Sequence, residues 1–217
     1  MVGSDHQHAG RGRRGRVWRD EPARGLTVSI LLRPEVAPPA AAMIPLVAAL
    51  AVVGMAEGLG CGDVTIAWPN DVLIDGRKVA GILCELAGHR DRVHHVVVGI
   101  GVNVGLTPDV PDARWSPCCL ADHVPGVTRQ QALIELLNSL SDAYARWRVD
   151  GAAATVDAFS RNDGLRGRRI SVDVGNRMVM GIGAGIDAEG RLRIETETGV
   201  QSFASGEVVR VGDELGL

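Results

Sequence analysis

The chain has 217 residues, 46% of them apolar and 23% charged, with a net charge of −3. That balance suits one ordinary domain, or a main domain with a small appendage, and excludes a disordered chain. A negative total also excludes general attraction to polyanions, so a local cluster of cations is a local device.

Residues 1–24 hold no bounded apolar run of the signal-peptide kind, so nothing in them argues for export. Gly10 opens the stretch GRGRRGRVW, which places four arginines and three glycines in seven residues ahead of the aromatic Trp18. Such a segment cannot build a core. It reads as a flexible loop whose amides and guanidinium forks close around an anion.

Residues 26–32 (LTVSILL) predict a buried strand that ends at Arg33-Pro34. Residues 36–56 carry no charge, but Pro38, Pro39 and Pro45 interrupt them. The uninterrupted part, 46–56, is too short for a bilayer core of ~30 Å, so a buried helix from Pro45 to about Gly58 is expected. Residues 64–68 and 72–74 predict strands around Pro69-Asn70-Asp71. Asp75-Gly76 is a hairpin signal leading into a partner strand over 77–86. A polar loop is expected over 87–92, then a buried strand over 96–103 (VVVGIGVN), with glycines where backbone must come close to something.

Residues 107–126 are Pro-rich and irregular. Thr128 with Gln131 fits a capping box, and the spacing of Leu133, Leu136, Leu137, Leu140, Tyr144 and Trp147 predicts an amphipathic helix to about Arg148. A second helix is expected over 153–160. After Asn162-Asp163-Gly164 the pattern changes to short strands over 169–174, 178–186, 191–195, 200–204 and 207–211, the signature of a small β-barrel. The fold class is therefore α+β, a mixed or antiparallel sheet with helices on one side plus the barrel.

Cys61, Cys84, Cys118 and Cys119 lack C-x-x-C spacing, which indicates reduced cytoplasmic thiols. His6 with His8, and His94 with His95, lack a matching Cys or Glu pair and read as surface histidines, so no structural metal site is expected. Of the 23 basic residues, Lys78 is the only lysine. A chain so biased toward arginine keeps a lysine where a guanidinium will not serve.

Three blocks, GRGRRGRVW at Gly10, WPNDVLIDGRKVAGILCEL at Trp68 and VVVGIGVNV at Val96, resemble the biotin protein ligases, the biotin–[acetyl-CoA-carboxylase] ligase family. Their order and separation fit, and residues 167–209, including Gly206-Glu207-Val208, look like that family's SH3-like C-terminal domain. The resemblance implies a class II synthetase-like catalytic domain over 1–163 and an SH3-like domain over 164–217. It implies a ligase reaction with biotin, ATP and Mg²⁺: a biotin carboxylate attacks the α-phosphate, giving biotinyl-5′-AMP. A lysine of a biotin carboxyl carrier domain then takes the acyl group.

By that resemblance Lys78 falls on the catalytic lysine, with Arg13 and Asp71 beside it in the chemistry. Gln7, Gly10, Arg11, Gly12, Arg13, Arg16, Trp18, Lys78, Gly81, Gly99 and Gly101 line the biotin and adenylate site. Asn70 and Asn103 hold ATP or its metal-bound water. Asp71 serves either to position Mg²⁺ or to help deprotonate the incoming lysine. The charge logic is independent of the resemblance: joining a carboxylate to a triphosphate brings two anions together, and fixed cations must cancel the repulsion. The Gly/Arg loop is expected to act as a lid that orders only over bound ligand, because the mixed anhydride hydrolyses if water reaches it. No nucleic-acid or membrane partner is expected, and a homodimer is left open.

Two departures from the family pattern stand out. Ala67 replaces the lysine usual before Trp-Pro-Asn-Asp, removing one cation. The upstream strand and helix with a Ser/Thr-Thr-Asn motif are absent too, so the chain reads as an N-terminally truncated, monofunctional type without a DNA-binding domain. On that reading a core strand lacks its neighbour and the biotin pocket is open. The rivals are a nucleic-acid-binding module that uses the Gly/Arg loop, a lipoate ligase relative and an inactive remnant.

Overall fold

The computed structural model describes residues 1–111 and 113–214. Its first layer is a six-stranded antiparallel sheet built from β1 (Val2–Ser4), β2 (Gly25–Leu32), β3 (Val64–Ala67), β4 (Asp71–Ile74), β5 (Arg77–Gly88) and β6 (Val93–Asn103), in the order β1-β2-β6-β5-β4-β3. The order places the two long strands, β5 and β6, at the centre. Their side chains alternate between faces, so Ile82, Val98, Ile100 and Val102 point into the core while Gly81, Gly99 and Gly101 lie on the opposite face.

The core face is covered by α2 (Ile44–Gly58), which follows a four-residue helix α1 (Pro38–Ala41). Proline in the first turn of each costs no hydrogen bond there. The stretch Pro38–Gly58 is long and apolar enough to cross a membrane, but 67% of its most apolar window is buried against the protein. It is a core element, apolar on all sides because it is covered on all sides. α3 (Arg129–Arg161) packs outside it through Ala132, Leu136, Leu140 and Trp147. Thr128 and Gln131 form the expected capping box. The two helices read from the sequence are one run broken at Gly151, whose φ of 74° lies in the left-handed region.

The second layer is a five-stranded antiparallel sheet of β7 (Arg168–Asp173), β8 (Met178–Ile186), β9 (Leu192–Thr196), β10 (Gly199–Phe203) and β11 (Glu207–Glu214), in the order β10-β9-β8-β7-β11. It docks on the first through Trp68, buried at the end of β3, whose Nε1 donates to Gly190 O at 3.1 Å. Gly190 itself lies against Met43 and Leu46 at the start of α2.

The structure corrects three expectations. The residues before the Gly/Arg loop contain a strand, β1, which pairs with Thr27, Val28 and Ser29, so β2 does not lack a neighbour. Three residues are too few to show a period. The expected polar loop over 87–92 shrinks to four residues, because β5 runs on to Gly88 through a bulge at Ala87. Helix α1 was hidden inside the uncharged run by its two prolines. The Gly/Arg segment closes on itself as a hairpin: Gly12 N donates to Arg16 O at 2.7 Å and Trp18 N to Gly10 O at 2.9 Å.

Candidate active site

A bulge aims the lone lysine. Leu73 pairs with Lys78 and Val72 with Ala80, so Val79 is an extra residue in β5. The insertion shifts the alternation, and Lys78 comes out on the same open face as Gly81, whose α-carbon side faces Lys78 Nζ. Its backbone is fixed from the other side, since Lys78 N donates to Ser116 O at 2.8 Å and Cys118 N to Lys78 O at 2.9 Å. The ammonium lies 2.6 Å from Asp71 Oδ1 and 5.9 Å from the Trp18 ring centroid.

Asp71 is almost wholly buried, with its side chain 2% exposed. Its Oδ2 accepts from Arg114 Nη2, a residue from the Pro-rich segment. Its Oδ1 pairs with Lys78 off the hydrogen-bonding line, so that oxygen has no hydrogen-bond donor among the described residues. Burial costs an ion several kcal/mol unless it is partnered, and here two cations share one carboxylate.

Each loop arginine meets a carboxylate or an amide. Arg11 pairs with Glu85 at 2.9 Å, Arg14 with Asp173 at 3.0 Å and Arg16 with Glu207, while Arg13 Nη1 donates to Asn70 Oδ1 at 3.4 Å. Asp173 and Glu207 come from the second sheet. Burial pushes the guanidinium pKa of Arg13 and of Arg114 down, for Arg13 with Arg14 adding to it, and the neighbouring Asp71 acts in the opposite direction on both. Asn70 is itself held by donating Nδ2 to Ile82 O at 3.0 Å, so it braces Arg13.

Two cavities meet here, sharing Arg16, Val17, Trp18, Asp71, Lys78 and Arg114 as a common wall. The first, about 210 Å³, has a floor of Gly81, Gly99, Gly101, Ile82 and Leu83, with Gln7, Arg11, Gly12 and Arg13 around it. The second, about 620 Å³, is walled by Pro108, Val110, Pro111, Trp115 and Pro117. Trp115 is buried and its Nε1 has no partner among the described residues.

Most of the expected site residues therefore gather around the first cavity; two do not. Gly10 closes the loop hairpin behind it, where a β-carbon would collide with Trp18 O. Asn103 is buried and donates Nδ2 to Cys118 O at 2.9 Å and to Lys78 O at 3.4 Å, a strut behind the lysine that reaches only the second cavity. The glycines of the floor also receive the aromatic residue of the loop. There is no bulge at Gly81, Gly99 or Gly101, and a side chain at Gly101 would overlap the Trp18 indole, so Gly81 and Gly101 seat that indole on the sheet. Arg114 was not singled out, and Glu207 was read only as part of the C-terminal domain, not as a site residue. The sequence signal available for Arg114 was a single cation next to an aromatic in a Pro-rich segment.

Among the described residues no three His, Cys, Asp or Glu side chains form a metal-binding group.

Residues 3–103 match the sequence profile of the biotin/lipoate A/B protein ligase family, and residues 166–211 match that of the biotin protein ligase C terminal domain. The biotin–[acetyl-CoA-carboxylase] ligase of Paracoccus denitrificans is 38% identical over 212 residues, covering 93% of this chain and 86% of that protein. The bifunctional ligase/repressor BirA of Bacillus subtilis is 33% identical over 215 residues, and the match spans 65% of its length. Among solved structures, the biotin protein ligase of Aquifex aeolicus in complex with biotin and ATP superposes with a TM-score of 0.82 at 26% identity, covering 95% of this chain and 86% of that one.

Proposed function

This chain belongs to the biotin protein ligase family, and on that premise we propose that it joins biotin to ATP as biotinyl-5′-AMP and passes the biotinyl group to a lysine of a biotin carboxyl carrier domain of an acyl-CoA carboxylase. The observation that carries the reading is the position of Lys78 on the wall shared by the two cavities. One cavity has a glycine floor and apolar sides within reach of the arginine hairpin. The other has a Pro/Trp wall suited to a flat heterocycle. A carboxylate in the first and an α-phosphate in the second would meet at the ammonium.

In the first step a biotin carboxylate oxygen attacks the α-phosphorus, the bond to the β-phosphate oxygen breaks and pyrophosphate leaves. Lys78, a compact charge with three donors, can follow the charge from carboxylate to phosphate; a guanidinium is committed to one fork. Arg11, Arg13, Arg14 and Arg16 offset the rest of the repulsion. Among the described residues Mg²⁺ has no protein cage to enter, because Asp71 is already committed to two cations. It fits as an ion carried by the nucleotide phosphates. In the second step the acceptor amine attacks the acyl carbon, AMP leaves and the amine loses a proton.

Gln7, Arg11, Gly12, Arg13, Trp18, Gly81, Gly99 and Gly101 belong to the biotin side, Arg16, Asp71 and Lys78 to the junction, and Asn70 acts through Arg13. Asp71 holds Lys78 in place. Residues 1–163 form the ligase unit and 164–217 the appended unit, of which 215–217 lie outside the described residues. A cytoplasmic location is part of the same proposal and fits that acceptor. The test is incorporation of labelled biotin into a purified carrier domain. Label that depends on ATP, Mg²⁺ and the acceptor lysine supports the proposal; label that appears equally without ATP, or no label at all, rejects it.

A further inference from the structure

Arg114 lies outside all three blocks that the family resemblance rests on, yet no other side chain touches both sheets and the buried carboxylate at the junction among the contacts described above. Its Nη2 donates to Asp71, and its Nη1 donates to Val208 O at 2.6 Å and lies 3.6 Å from Glu207. Its side chain is only 13% exposed, it lines both cavities, and its Nε is buried without a partner among the described residues. A surface arginine of a Pro-rich loop gains nothing from such a position. Burying an ion there is costly, and the cost is offset only by what the ion holds in place.

A local charge count shows what that is. Asp71, Glu207 and Asp173 face Lys78, Arg114, Arg16 and Arg14, so three negative charges meet four positive ones and one positive charge is left over. Without Arg114 the count is three against three. Asp71 would then form a one-to-one pair with Lys78, and the ammonium would be cancelled by its own neighbour, in a half-closed site where such cancellation is strong. Glu207 would keep Arg16 and Arg14.

We propose that Arg114 is a positioning residue for the adenylation step: by sharing Asp71 with Lys78 it keeps the ammonium free to meet the reacting anions, and by gripping Glu207 and the Val208 carbonyl it ties the second sheet to that duty. The inference rests on the ligase reading, but part of its test does not. Lys78 is the sole lysine, so acylation of its amine can be followed by peptide mapping without any turnover.

The experiment compares the full chain with Arg114→Ala, Arg114→Lys and Glu207→Gln, using acetic anhydride labelling of Lys78 and biotin-dependent pyrophosphate–ATP exchange, with thermal melts as the folding control. Arg114→Ala is expected to slow Lys78 acylation several-fold and to lower kcat for exchange by about 30-fold, with KM for biotin and for ATP each within about threefold. Arg114→Lys recovers part of kcat, since it restores charge without the fork, and added guanidinium ion does the same for Arg114→Ala. Glu207→Gln, which keeps the side chain's size, lowers kcat by about threefold and carries the test if Arg114→Ala does not fold. Unchanged acylation with kcat within twofold of the parent overturns the proposal. So does a loss confined to KM for ATP, which would make Arg114 a nucleotide contact. If no form exchanges pyrophosphate, the ligase reading falls and the acylation arm alone decides Arg114.

Discussion

The two faces of the six-stranded sheet are made by the same strands and obey opposite rules. Toward α2, Val28, Ile30, Ile82, Val98, Ile100 and Val102 form an unbroken apolar layer. On the other face the same strands present Thr27, Ser29, Gly81, Gly99, Gly101 and, through the bulge at Val79, Lys78. Period two thus gives one face to stability and the other to chemistry. Mutations one residue apart should therefore fail in different ways.

The largest separation is expected on the open face. Lys78→Arg should lower adenylate formation by about 10³-fold or more while the melting temperature stays near that of the parent, because the site loses a mobile point charge and the core loses nothing. Steady-state exchange assays with a melt on the same sample check both halves. On the covered face, Ile100→Ala removes a side chain that is 2% exposed and should cost about 2–5 kcal/mol of stability in denaturant titrations, with kcat of the folded fraction little changed. A loss of kcat at full stability would erase the distinction between the faces.

Gly101→Ala, adjacent to Ile100, should leave the helix side intact but push Trp18 off its seat, lowering exchange roughly 10- to 100-fold, with a change in Trp fluorescence as the direct readout. The smallest effect lies at the joint between the sheets. Burial pushes the Asp163 carboxyl pKa up, and its Oδ2 has no partner among the described residues. A carboxylate with a raised folded pKa binds more protons in the folded state, so its contribution to stability is present below the usual carboxylate range and is lost as pH rises through the folded value. Asp163→Asn should raise Tm by about 1–3 °C at pH 7.5 and by less at pH 4.

Much of the covered face was legible in the sequence because burial imposes a repeating pattern. The strand alternation, the Asp75-Gly76 turn and the Thr128–Gln131 cap are all local, and each appeared close to where the pattern put it. The open face was legible in residue type but not in destination. Lys78, Gln7 and the arginines stood out by composition and motif, yet nothing local says that Trp18 rests on Gly81 and Gly101, or that Asn103 turns away to brace Lys78 from behind. Arg114 and Glu207 meet the site through contacts such as Arg114–Asp71 and Arg114–Glu207, 43 and 93 residues apart in sequence, and long-range pairs of single charges leave no period to read. β1 is three residues long and pairs by geometry alone.

The central claim is that the ammonium on the open face joins an acid to a nucleotide, and pyrophosphate exchange tests it most directly. Purified full-length protein given biotin, ATP and Mg²⁺ should move labelled pyrophosphate into ATP at a rate that vanishes when biotin is omitted and falls by about 10³-fold in Lys78→Arg. Absence of exchange in the parent protein, or exchange that ignores biotin or survives Lys78→Arg, would contradict it.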